Sequence, residues 1–288
     1  MLLLILILYY EQLSLLLQNA AKIGNIYFMA NGCNVATQSQ ISLSSQPETE
    51  IMSSDNTSRS TSPIAAMFDR ISPRYDFLNH LLSLNIDKIW RRKTVKAVAR
   101  NNPKNILDLA TGTADLALEL AKSLPEAHIT GLDLSGKMLA IGEEKIKQQG
   151  LGNQISLQQG DAAHLPFAND TFDAITIAFG TRNFEDLPNS LSEIHRVMKA
   201  DGSLHILEFS MPTAFPIKQA YNLYFKYILP KIGSWISKDN KAYSYLPTSV
   251  QNFPTPDTFI NILGNSGFRL IEKKALSFGI ATLYSAIK

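Results

Sequence analysis

From Asn105 onward, apolar and polar positions alternate in blocks. A short apolar run at Asn105–Leu109 follows turn residues and ends at a loop of small residues, the pattern of a buried strand. Leu116, Leu118, Leu120 and Ala121 predict a helix over Thr113–Ser123, stopped by Pro125. Further strands are predicted at His128–Leu132, Ile155–Gln159, Phe172–Ala178 and Ser203–Phe209, the last launched from the Asp201-Gly202 turn. Helices fill the gaps. One covers Lys137–Gln149, with Ser135 as its cap and Gly150 as its stop. Another covers Leu187–Met198, with Leu191, Ile194 and Val197 on one face. Such alternation argues an α/β fold, a mainly parallel sheet with helices on both faces. Ligands on these sheets bind beyond the carboxyl ends of the strands, at the switch point, so the informative residues should follow strands.

Residues 1–60 follow no such pattern. Leu2–Tyr10 is apolar but too short to cross a bilayer as a helix, which takes about 20 residues. No basic residue precedes it, as a signal peptide would require. From Asn31 to Ser62, Ser, Thr, Gln and Asn dominate, too little apolar surface to order a chain, so this segment is expected to be disordered. Three accounts stand side by side: an address or anchor, an idle tail, or an over-extended reading frame whose natural start is Met29 or Met52. The last is favoured. The remainder, 61–288, reads as one domain.

Composition narrows the function. Hydrophobic residues are 45% of the chain and charged residues 18%, enough for a sizeable core. A balance of 27 basic against 25 acidic residues excludes gripping nucleic acid as the main task. Cys33 is the single cysteine, so neither an intrachain disulfide nor a cysteine-based zinc site can form. No two of the five histidines lie three or four apart, and no helical two-histidine metal site is written; no metal is expected.

The loops after the strands describe a nucleoside cofactor. After the first strand the chain reads Asp108-Leu-Ala-Thr-Gly112-Thr113-Ala-Asp115, where Gly112 lets backbone approach a ligand at a helix N-terminus. A dehydrogenase fingerprint needs three spaced glycines, and this loop has one. It looks more like the acidic-x-G-x-G-x-G loop of S-adenosylmethionine enzymes, with two glycines relaxed to Ala110 and Ala114. Asp133 closes the second strand about 20 residues beyond Gly112, where an acid can accept from both ribose hydroxyls. Asp161 closes the third; it can receive the adenine amine, and Ala162 leaves room for the ring.

Several longer stretches carry a resemblance: MFDRISPRYDFLNHLLS (67–83), DLATGTADLA (108–117), LPFANDTFDAITIAFGTRNFED (165–186), LHILEFSMP (204–212) and YILPKIG (227–233). With them the chain, from about Ala66 to Lys288, closely resembles the ubiquinone/menaquinone biosynthesis C-methyltransferase family, and most of all its demethylmenaquinone methyltransferases. The resemblance implies a class I S-adenosylmethionine-dependent methyltransferase fold, Rossmann-like with seven strands, the last two at Phe268–Lys274 and Ile280–Ile287. It implies S-adenosyl-L-methionine as cofactor and Thr113, Asp133, Asp161 and Ala162 as its contacts, beside Gly112. A family position that is often serine is Ala178 here, so that hydroxyl is absent. Arg182 and Asn183 fall where the methyl-accepting ring should lie, and Tyr75 resembles a residue facing the substrate. The relaxed glycine loop favours the menaquinone branch over the ubiquinone branch, whose loop is Gly-Gly-Thr-Gly; an enzyme serving both quinols stays open.

The implied reaction is carbon methylation of a reduced, prenylated naphthoquinol. Its ring carbon becomes nucleophilic when the neighbouring phenol ionises, so the site must stabilise a phenolate. Arg182 is the candidate for that; a guanidinium is no free base. Tyr75 is a candidate to orient the hydroxyl or relay its proton. The bland alternatives are a surface ion pair of Arg182 with Glu185 or Asp186, and plain packing for Tyr75. His195 and His205 read as structural. A nicotinamide oxidoreductase and a catalytically silent assembly subunit are the rival classes.

An insertion at about 211–253 mixes Phe215, Tyr221, Tyr224 and Tyr227 with Lys218 and Lys226, which suits a substrate cap or a membrane-surface contact. A cytoplasmic enzyme, peripheral on the membrane face, is the expectation, with homodimerisation left open.

Overall fold

The computed structural model describes residues 62–224, 227 and 240–288. The expectations for residues 1–60, and the middle of the 211–253 insertion, lie outside the described residues.

Among the described residues two helices, α1 (Pro63–Leu82) and α2 (Ile86–Val98), precede the sheet. There follow β1 (Asn105–Leu109), α3 (Asp115–Ser123), β2 (His128–Asp133), α4 (Gly136–Gln148), β3 (Ile155–Gln159) and β4 (Phe172–Ala178). The second half holds α5 (Leu187–Val197), β5 (Met198–Phe209), α6 (Ile217–Leu223), α7 (Asn240–Asn252), α8 (Pro256–Asn265), β6 (Arg269–Leu276) and β7 (Ala281–Ile287).

Seven strands form one sheet in the order β3-β2-β1-β4-β5-β7-β6. The first five run parallel, and β7 enters antiparallel between β5 and β6. This is the doubly wound sheet that the alternating pattern predicts. Its strand order reverses between β1 and β4, and there the loops that follow the two strands part to leave a crevice.

The central strands are buried on both faces, which is why they read as unbroken apolar runs. One core layer joins Leu107, Ile175, Ile177 and Leu204 to Leu191 and Ile194 of α5 and to Phe259 and Leu263 of α8. The opposite layer sets Ile106, Ile129 and Ile155 against Leu116, Leu120 and Ile146. Phe259 and Tyr284 meet edge to face with ring centroids 4.9 Å apart.

Two of the boundaries that differ from expectation have a cause in the backbone. Helix α3 begins at Asp115, because Ala114 takes a left-handed conformation (φ 65) and the loop runs on past Thr113. Strand β5 begins at Met198: Asp201 (φ 59) and Gly202 make an irregularity within the strand, between the pairs Phe172↔Met198 and Ala174↔Ser203, instead of a turn before it. Both histidines read as structural are so. His205 is buried against the Ser285 hydroxyl and burial lowers its pKa to about 4; His195 stacks edge-on against Phe268.

Candidate active site

The crevice at the switch point is a cleft of about 280 Å³. The carboxyl ends of β1, β2, β3 and β4 all open on it, through Gly112, Asp133, Asp161 and Ala178. Helix α1 supplies the facing wall with Phe68 and Tyr75.

Below the glycine loop sits Asp108, buried, accepting from the hydroxyls of Thr111 at 2.7 Å and Thr176 at 2.6 Å. Burial raises its pKa to about 6 despite those bonds. The acid thus ties the loop to β4 from beneath and does not line the cleft. Gly112 stands at φ 56, where a side chain would strain the backbone, and a Cβ there would meet nothing within 4 Å. Just past the strand ends, before the two loops diverge, a Cβ on Gly180 would lie 2.4 Å from the Ala110 Cβ, so glycine is required at that contact.

Asp133 accepts from the Gly112 amide on one oxygen and from the Ser135 amide on the other, both at 2.8 Å. Burial raises its pKa, opposed by those amides. A carboxylate offers about four lone-pair positions, so two remain for a vicinal diol. Ser135 caps α4 as the sequence implies, accepting from the Met138 amide. Asp161 is more open, with one oxygen held by the Ala163 amide, and Ala162 lies beside it in the cleft wall. The pair of acids, the small residue and the open glycine loop fit an adenosine-bearing cofactor.

Thr113 is placed differently from its expected role. Its side chain turns away from the cleft and donates to Asp76 of α1 at 2.6 Å, while Lys145 reaches it at 3.1 Å. Lys145 also binds Asp76 at 2.9 Å and Asp115 at 2.5 Å. Arg91 and His80 extend this network through Asp115 and Asp87. A second tie runs from the Ser135 hydroxyl to Asp69 at 2.5 Å. Sequence reasoning missed these ties. A signal was present: Asp69 and Asp76 are two helical turns apart and share one face of α1.

On the acceptor side, Tyr75 lines the cleft and meets Phe68 edge to face at 5.9 Å. Burial raises its pKa, with Arg182 opposing, so it stands as a neutral phenol able to donate. Asn183 also lines the cleft, and its side-chain oxygen accepts from the Tyr245 hydroxyl at 3.0 Å. Arg182 is not a surface residue paired with Glu185 or Asp186. Its side chain is 6% exposed and binds Glu208, itself fully buried, at 2.7 Å. It lies just behind Phe179, whose carbonyl accepts from it, and its guanidinium carbon sits 5.3 Å from the Phe209 ring centre. Glu208 was not singled out from the sequence. Ala178 lines the cleft without a hydroxyl, as read.

A doubly wound sheet with strand-end acids around a switch-point cleft defines a nucleoside-cofactor protein of the α/β class. The family model for the ubiE/COQ5 methyltransferase family matches residues 54–288, and the chain belongs to that family. It is 44% identical over 242 residues to the demethylmenaquinone methyltransferase of Bacteroides fragilis, covering 84% of this chain and 99% of that one. It is 46% identical over 222 residues to the ubiquinone/menaquinone biosynthesis C-methyltransferase UbiE of Geotalea uraniireducens, covering 77% and 94%. Among solved structures, a SAM-dependent methyltransferase from Thermotoga maritima superposes with TM-score 0.52 at 15% identity, over 77% of this chain and 99% of that one. The cyclase SpnF does so with TM-score 0.60 at 15% identity, over 79% and 96%. Those likenesses show the fold alone, which hosts more than one chemistry.

Proposed function

We propose that this chain methylates a ring carbon of demethylmenaquinol, yielding menaquinol, with S-adenosyl-L-methionine as the methyl donor. The observation that carries the reading is the pairing of a nucleoside-fitting cleft with a buried Arg182 and a neutral Tyr75 on its acceptor side. Bound S-adenosylmethionine supplies an electrophilic methyl group. Asp133 holds its ribose, and Asp161 and Ala162 its adenine. Gly112 lets the loop backbone approach.

Tyr75 donates to a quinol oxygen and sets the ring's orientation, and Asn183 positions the ring. Arg182 stabilises the phenolate as it forms, in surroundings dry enough for a fixed charge to count heavily. Fixing the two reactants in line removes a large entropic part of the barrier.

The loop before α6 and the end of that helix favour delivery of a prenylated substrate from a lipid surface. Phe215 is 80% exposed, Leu223 and Tyr227 are half exposed, and Lys218 is interleaved with them. Among the described residues no helix is long and apolar enough to cross a membrane.

A second acceptor, the ubiquinol precursor ring, is favoured by the dual name that the Geotalea relative carries. One assay tests both: methyl transfer from labelled S-adenosylmethionine to demethylmenaquinol and, alongside, to a demethoxyubiquinol-type acceptor. Labelled menaquinol is the expected product. Absence of transfer to the naphthoquinol, with cofactor binding intact, would overturn the assignment. Calorimetric titration with nicotinamide dinucleotides, expected to show no binding, excludes the oxidoreductase class.

A further inference from the structure

Glu208 ends the LHILE run of β5, where the sheet meets the acceptor side of the site. It is fully buried. Its two carboxylate oxygens accept three hydrogen bonds. One oxygen takes the Arg182 Nη1 at 2.7 Å and the Phe209 amide at 2.8 Å; the other takes the Arg182 amide at 3.1 Å. A single carboxylate therefore holds Arg182 at both its main chain and its guanidinium.

The remaining donors are informative. The Nη1 also donates to the Phe179 carbonyl. The Arg182 Nε–H and the adjacent Thr181 hydroxyl are buried with no hydrogen-bond partner among the described residues. Orphaned buried polar groups are rare and call for a reason, because each loses its bonds to water without replacement. Arg182 does not itself line the cleft; it stands behind Phe179, which does, so its place is set by the groups that hold it there.

We propose that Glu208 is the positioning residue of this site: it clamps Arg182 at main chain and guanidinium, so that the cation keeps a fixed place behind Phe179 from which to act on the ionising quinol. The inference rests on the role of Arg182 proposed above and deepens it. The clamp needs a carboxylate. All three partners are N–H donors, and a glutamine amide would set its own NH2 against one of them. An aspartate would keep the charge but draw it back by one methylene.

The test is a double-mutant cycle on the full chain. Glu208→Gln and Glu208→Asp are made alone and on Arg182→Ala, with kcat, quinol KM, cofactor Kd and thermal unfolding measured for each. For Glu208→Gln alone, kcat is expected to fall roughly 100-fold, the order that a misplacement of about 1 Å produces. Quinol KM and cofactor Kd should move only a few-fold, and Glu208→Asp should recover part of kcat. On Arg182→Ala the same substitutions should cost nothing further. An equal loss in both backgrounds would overturn the clamp, as would wild-type kcat in Glu208→Gln. Should Glu208→Gln fail to fold, Glu208→Asp completes the cycle. Wild-type turnover by Arg182→Ala would remove the role of Arg182 and the clamp with it; a slow Arg182→Ala beside a fast Glu208→Gln removes the clamp alone.

Discussion

At the scale of single residues, the two acids at the ends of neighbouring strands behave differently because their surroundings differ. Asp108 accepts only from hydroxyls and is sealed from water, so its pKa rises from 3.8 to about 6. The folded chain therefore keeps a proton that the unfolded chain releases between those values, and stability falls as pH rises through that window. Above the folded pKa the loss levels off at about 3 kcal/mol. Asp108→Asn should lift that burden, since Thr111 and Thr176 can rotate their hydroxyls to suit an amide. The Tm of the variant relative to the parent should rise from about pH 4 to about pH 7. A difference independent of pH would show that Asp108 is not the titrating group. Asp133 accepts from two main-chain amides and opens on the cleft. Asp133→Asn should weaken cofactor binding roughly 10- to 100-fold, the worth of a hydrogen bond to a charged group, with kcat at saturation nearly unchanged. Calorimetric titration and saturation kinetics check it. Asp133 was legible from the sequence because strand ends are marked by where an apolar run stops. Glu208 was not: it stands inside an apolar run whose burial makes an acid look out of place, and its partner Arg182 is 26 positions away in sequence.

Among the elements, α1 matters most to the acceptor side. It brings Phe68 and Tyr75 to the cleft and is tied to the sheet domain by polar contacts, Asp76 to Thr113 and Lys145, and Asp69 to Ser135. Lys145 is the hub. Lys145→Met should leave Asp76 without its cation, while Asp115 keeps Arg91, and cost about 2 kcal/mol, less than a fully buried pair because Lys145 is partly exposed. The loosened wall should raise quinol KM more than cofactor Kd, which steady-state kinetics and titration separate. Equal effects on both would place the network in the cofactor loop instead of the wall. The type and order of the elements could be read from hydrophobic period, because the central strands are buried on both faces and the helices packed on them show an apolar stripe. The errors fell where the backbone departs from the period. Ala114 and Asp201 adopt positive φ without the glycine that usually announces it. Thr113, read as a cofactor contact, gives its hydroxyl to Asp76 of α1, a tie that no hydrophobic period announces.

For the whole molecule, the sheet order puts the nucleoside cleft at one crevice and the exposed aromatics of the α6 region on the chain that follows β5. Replacing Phe215 and Leu223 with serine should lower the share of protein that floats with anionic vesicles and raise KM for long-tailed quinol. Turnover of a short-tailed analogue should stay near the parent's. No flotation of the parent would sink the membrane contact. One packing detail gives the molecule an optical property. Trp90 is buried, donates to the Ser277 hydroxyl at 2.9 Å, and lies 6.0 Å from the ring of Phe179 and 6.1 Å from that of Phe209. Phe179 lines the cleft, and Phe209 stacks on it and faces Arg182. With the second tryptophan, Trp235, replaced by phenylalanine, the indole of Trp90 becomes a single emitter seated between both halves of the site. Its emission wavelength and lifetime should then register filling of the cleft, so that ligand arrival can be timed by fluorescence without a label.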